Sequence, residues 1–180
     1  MSERQKRSLD MHFLNDPRKL DKAAFISAFG GVYEHSAWVA EQAFDDGLAT
    51  GANEVDTLWS QLRTIIEGAG EAPQLVLLRA HPDLAGKLAQ SGALTEESTS
   101  EQAGAGLDEC TPDEFAEFTQ LNDDYKTKFG FPYILAVKGR HRVEILDNFR
   151  ARVNNDRATE FREALDQVHQ IARLRLEAMC

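Results

Sequence analysis

Among the residues that could carry chemistry, His81 has the most unusual setting. It follows the apolar run Leu75-Val76-Leu77-Leu78 and precedes Pro82. Proline disfavours helical geometry at the residue before it and suits the first turn of a helix, so the spacing predicts His81 at a helix junction, with a new helix starting after Pro82. The positive N-terminal end of that helix disfavours an imidazolium and keeps the ring neutral near pH 7, ready for proton transfer. A histidine that only fills the junction fits the same pattern. Ser98 and Glu101 are open in the same way: Ser-x-x-Glu is a capping box, in which Ser98 takes a backbone N–H three residues on and Glu101 reaches back. Gln102 beside them holds a polar ligand or points to water. Arg175 is more telling. It falls on the apolar stripe of Phe161, Leu165, Val168 and Ala172 in the last long helical segment, since about fourteen residues make close to four turns. A guanidinium there either snorkels past the core edge or is paired in a polar pocket, and its fork suits a planar carboxylate or ureide.

Other chemistries find little support. The five histidines (His12, His35, His81, His141 and His169) form no His-x-x-x-His pair and no cluster with cysteine, so no metal site is expected. There is no Gly-x-Ser-x-Gly elbow, phosphate-binding glycine loop or dinucleotide fingerprint, and no cofactor is expected. His35 reads as a structural residue at a helix start, His141 and His169 as exposed, and Cys110 as a loop residue. Cys110 and Cys180 give no disulfide framework.

The elements that must position these residues are helical. Val55, Leu58, Leu62, Ile65 and Ile66 make a buried stripe opening near Asn53-Glu54. Thr111-Pro112-Asp113-Glu114 is a capping box with proline in the first turn; the helix after it lines up Phe115, Phe118, Leu121 and Tyr125 and stops at Gly130 and Pro132. The last helix runs from about Asp156, with Met179 continuing its stripe. Residues 92–106 read as a loop and a short helix. Tyr133-Ile134-Leu135-Ala136-Val137 is the one extended piece, too short to make a sheet alone. The expected fold is a single all-α domain over residues 1–180, with residues 1–10 flexible.

A net charge of −10 argues against nucleic acid, which needs clustered Lys and Arg. The short basic run Lys138-Gly139-Arg140-His141-Arg142 reads as a solvated loop or helix start. No stretch nears the ~20 apolar residues of a membrane span. A charged N-terminus with no apolar region behind it, and a Met179-Cys180 ending of neither peroxisomal nor prenylation type, make the cytoplasm the expected location.

Several segments then match one family in order, over about residues 15 to 178: Phe29 to Ala40 (Phe-Gly-Gly-Val-Tyr-Glu-His-Ser-Ala-Trp-Val-Ala), Leu78-Arg79-Ala80-His81-Pro82-Asp83-Leu84-Ala85-Gly86, Ser98-x-x-Glu101-Gln102, Leu121-Asn122-x-x-Tyr125, Phe129-Gly130-Phe131-Pro132-Tyr133 and Ile171 to Leu176. The sequence resembles 2-oxo-4-hydroxy-4-carboxy-5-ureidoimidazoline (OHCU) decarboxylase. The resemblance implies an all-helical fold, a homodimer, and cofactor-free conversion of a small-molecule ureide, OHCU, to (S)-allantoin in urate degradation. It assigns catalysis to His81 and ligand contacts to Pro82, Ser98, Glu101, Gln102 and Arg175, and Glu101 is expected to share the acid–base work by orienting or deprotonating the substrate hydroxyl. It also lays the main chain of Tyr133, Ile134, Leu135, Ala136 and Val137 against the heterocycle. Ala37, where the family often has proline, and Tyr133, where phenylalanine is common, are mild departures. A helical module that binds a ureide or a protein without turnover is the rival class, and an acid–base pair weighs against it.

Overall fold

Helices form where apolar residues recur at three- and four-residue spacing, and the side chains of Asp21, Thr95, Thr111 and His141 cap the starts of four of them. The computed structural model describes residues 11–86, 92 and 94–180; residues 1–10, expected to be flexible, lie outside them. Eight α-helices are described: α1 (Lys22–Phe29), α2 (Trp38–Asp45), α3 (Val55–Gly68), α4 (Glu71–Arg79), α5 (Glu96–Gly104), α6 (Pro112–Phe129), α7 (Arg142–Arg152) and α8 (Arg157–Glu177). The described residues form no strand, only an isolated antiparallel bridge between His12 and Glu54. The all-α expectation holds.

The chain divides into two compact units. One comprises the residues up to Ala80 together with His169–Cys180. Within it α1 packs on α2, α2 on α3 and α3 on α4. The buried stripe of α3 is Val55, Leu58, Leu62 and Ile66, with Ile65 at its half-buried edge. With Phe25, Leu77 and Leu78 it forms a mostly aliphatic core, each fully buried side chain contributing roughly 1.5–3 kcal/mol.

The other unit, His81–Val168, has an aromatic core. Its helix α6 starts as its sequence predicts: Thr111 and Glu114 form a reciprocal capping box and Pro112 occupies the first turn. It stops at Gly130, whose φ of +82° closes the last turn at little steric cost. Phe118, Tyr125 and Phe129 are buried on one face, while Phe115 and Leu121 flank it half-buried. Tyr133 stacks on Phe149 at 3.8 Å, and Tyr125 meets both rings edge-on. His141 is exposed and caps α7, accepting from the Val143 N–H, so the basic run is a helix start. Helix α8 opens at Arg157, one residue later than expected, with the Asp156 carboxylate accepting from the Thr159 N–H at 3.0 Å. From His169 onward α8 belongs to the first unit.

Candidate active site

His81 follows α4 and is buried, 8% exposed. No helix begins at Pro82: residues 82–86 form an irregular turn, and residues 87–91, where the expectation continues, lie outside the described residues. The reason is local. Ala85 takes φ +49°, in the left-handed region that costs an L-residue about 1–2 kcal/mol. Gly86 comes so close to Asp83 that a Cβ there would lie 2.7 Å from the Asp83 Cβ. The turn therefore curls back on itself, and no helix dipole begins at Pro82 to act on His81.

What holds this turn comes from two helices. The Ala85 N–H donates to Gln102 Oε1 at 3.0 Å, and Gln102 Nε2 donates to the Asp83 carbonyl at 3.4 Å. From α6, Asn122 Nδ2 donates to the Leu84 carbonyl at 3.0 Å and Lys126 Nζ meets Asp83 Oδ2 at 2.6 Å. Gln102 (5% exposed) is thus tied to the segment that begins with His81 and Pro82, and half-buried Glu101 precedes it on α5. Ser98, also on α5, is buried. The capping box expected from Ser98 and Glu101 is absent. Thr95, with extended backbone, caps α5 by accepting from the Ser98 N–H, which moves Ser98 inside the helix. Pro82 is half-buried beside His81.

Tyr133 to Val137 forms neither helix nor strand and is wholly buried. Its polar backbone is met largely by side chains: Arg152 Nη1 donates to the Ile134 carbonyl (2.7 Å), the Ala136 N–H to Gln167 Oε1 (2.9 Å) and Arg140 Nε to the Ala136 carbonyl (3.3 Å), while the Val137 carbonyl accepts from the Arg140 N–H (2.9 Å). The backbone N–H and carbonyl of buried Leu135 make no hydrogen bond among the described residues. Tyr133 is anchored at its far end, its hydroxyl donating to Asn148 Oδ1 at 2.6 Å. Burial pushes the Tyr125 and Tyr133 phenols well above the usual tyrosine range, so both remain donors.

Arg175 belongs to the first unit, the other predicted site residues to the second. It is buried and ion-paired, as the pocket alternative requires: Nη1 lies 2.7 Å from Glu34 Oε2 and 3.2 Å from the Gly31 carbonyl. His169 is not exposed as expected but 2% exposed, its Nδ1 at 2.8 Å from the Tyr33 hydroxyl and its Nε2 at 3.1 Å from Glu67. It shares the inward face of α8 with buried Ala172 and Leu176. His35 is exposed in the turn before α2 with φ +47°, and Cys110 ends the short 3-10 turn Leu107–Glu109. Among the described residues no group of three His, Cys, Asp or Glu side chains converges as a metal ion needs. Sequence reasoning missed the roles of Asn122, Lys126, Arg152, Glu160 and Glu34; Asn122 and Glu160 carried a signal, as polar residues on apolar helix faces.

Comparison with known proteins decides the family. Residues 18–177 match the family described as OHCU decarboxylase. This chain belongs to the OHCU decarboxylase family. A relative from Haloferax volcanii, named 2-oxo-4-hydroxy-4-carboxy-5-ureidoimidazoline decarboxylase, is 42% identical over 163 residues, covering 91% of this chain and 93% of that protein. A crystal structure of (S)-allantoin synthase superposes with a TM-score of 0.73 at 32% identity. It covers 91% of this chain, which spans about half (52%) of that longer protein. A crystal structure of OHCU decarboxylase in the presence of (S)-allantoin shares the fold, with a TM-score of 0.62 at 23% identity over 81% of this chain and 92% of that one.

Proposed function

We propose that this protein decarboxylates OHCU to (S)-allantoin in urate degradation, by an acid–base route that needs no cofactor. Decarboxylation breaks the bond between the ring carbon and the carboxylate. The electron pair left behind moves into the adjacent ring C=N bond, whose nitrogen takes up a proton; the resulting enol gives up its hydroxyl proton to become a carbonyl as a proton adds to one face of the ureido-bearing carbon. Glu101 orients the substrate hydroxyl or takes its proton, and His81 relays a proton to the reacting carbon. Pro82, Ser98 and Gln102 contact the ligand beside them. The main chain of Tyr133, Ile134, Leu135, Ala136 and Val137 receives the heterocycle, and the unpartnered polar groups of Leu135 support that role. For Arg175 the resemblance assigns the ureide oxygens, supported by its buried, oriented guanidinium.

The observation that carries the acid–base reading is the tie between α5 and the turn after His81. Gln102, next to Glu101, is bonded at both ends of its amide to Asp83 and Ala85. His81→Ala should lower kcat by about a hundredfold or more while the far-ultraviolet spectrum stays that of the parent. The assay generates OHCU from urate enzymatically and follows the circular dichroism of allantoin. Near-normal rate and single-handed product from the variant would sink this assignment. Racemic product at the background rate from the parent protein would sink the decarboxylase reading. The reading extends to a cytoplasmic homodimer. Light scattering on the purified chain tests its dimeric state, and fractionation of expressing cells its location.

A further inference from the structure

The geometry points to Asn122 as a positioning residue for His81, an inference that rests on the reading of His81 as an acid–base group. Ala85 sits in the left-handed region at φ +49°, and a non-glycine residue stays there only when its surroundings hold it. Gln102 grips the turn at the Ala85 N–H and the Asp83 carbonyl, and Lys126 grips the Asp83 carboxylate. Asn122 supplies the hold between them, its Nδ2 donating to the Leu84 carbonyl at 3.0 Å.

Two features make Asn122 more than a packed side chain. It is 2% exposed, and its Oδ1 has no partner among the described residues. Burying such an oxygen opposes folding, so an apolar side chain of similar size would be the better core residue. What the amide contributes is the bond to Leu84. Asn122 also stands on a stiff base, one turn from Lys126 on the α6 face that buries Phe118, Tyr125 and Phe129. On the other side of the turn only Pro82 and Asp83 separate Leu84 from His81, and the proline ring fixes one of the intervening torsions. A shift of Leu84 is therefore passed to His81 rather than absorbed on the way.

A residue that holds a strained turn has a signature that a merely structural residue lacks. Asn122→Ala lets Ala85 relax out of the left-handed region and carries His81 from its productive place, so kcat falls about tenfold to a hundredfold while KM moves less. Glycine at position 85 adopts the same torsion without strain, so the loss caused by Asn122→Ala shrinks several-fold in an Ala85→Gly background. The experiment measures kcat and KM for both single variants and the double variant, per folded molecule, by the allantoin dichroism assay with His81→Ala alongside. Equal losses in the two backgrounds overturn the inference, as does a kcat for Asn122→Ala within about twofold of the parent. If Asn122→Ala does not fold, Lys126→Met reads the same brace from a half-exposed side chain: a kcat loss of about threefold that also shrinks with Ala85→Gly supports the inference, and no loss, or one unchanged by glycine, overturns it. An active His81→Ala removes the acid–base reading itself; an inactive His81→Ala beside an unaffected Asn122→Ala removes only the role of Asn122.

Discussion

In the second unit Arg152 is gripped by Glu160 through Nε and Nη2, donates through Nη1 to the Ile134 carbonyl, and lies 4.7 Å from the centre of the Tyr133 ring. Glu160, fully buried, also accepts from the Tyr125 hydroxyl and from Asn155. In the first unit Arg175 meets Glu34 and the Gly31 carbonyl, tying the last helix to one turn. Earlier on the same helix, His169 meets Tyr33 of that turn. Both are buried arginine–glutamate pairs that also bind a backbone carbonyl. They differ in what they organise. The Arg152 pair sits among Tyr125, Tyr133 and the stretch from Tyr133 to Val137, so a whole buried segment depends on it. The Arg175 pair orients one guanidinium that the proposed reaction uses. On the proposed reading, a buried ion pair is thus a brace in one place and an aiming device in the other.

Breaking the brace should have the largest effect. Arg152→Met leaves Glu160 as an uncompensated buried charge, which costs on the order of 3–5 kcal/mol and lowers the melting temperature by roughly 10 °C. Thermal and urea unfolding check this, and a loss below about 1 kcal/mol would deny the pair its bracing role. Arg175→Lys should separate the two functions. It keeps a cation beside Glu34 but loses the planar fork, so kcat/KM should fall about tenfold or more with a stability loss under about 2 kcal/mol. Unchanged kinetics would make the Arg175 pair a second brace. The smallest effect is expected from Tyr33→Phe, which removes one hydrogen bond to His169 and should cost about 1–2 kcal/mol by urea unfolding. A loss as large as that of Arg152→Met would show the turn at Gly31 to Glu34 to be as deeply braced as the Tyr133 segment.

Periodicity made the helices legible, and with them Arg175, because a charge on an apolar stripe contradicts the pattern around it. Glu160 breaks the face it shares with Ala164 and Val168 in the same way, and Asn122 the face of Phe118 and Tyr125, so both were readable by the same logic. His169 also lies inward by spacing, but the polar residues around it, Asp166, Gln167 and Gln170, disguise the face. The cap of α5 was misread because Thr95-x-x-Ser98 and Ser98-x-x-Glu101 overlap, and only the backbone angle at Thr95 decides between them. The turn after Pro82 was out of reach: proline permits a helix start, and the left-handed Ala85 is held by Gln102, Asn122 and Lys126, which are distant in sequence.

The stretch from Tyr133 to Val137 has a consequence for how this protein tolerates change. A strand in a sheet is held by bonds between main chains, which survive most substitutions. Here one bond, from the Arg140 N–H to the Val137 carbonyl, joins main chains, and the others come from the side chains of Arg140, Arg152 and Gln167. The backbone shape of five consecutive residues is therefore encoded in part at two remote positions, Arg152 and Gln167. Deuterium uptake at the Ala136 amide will report on Gln167, thirty-one residues away along the chain.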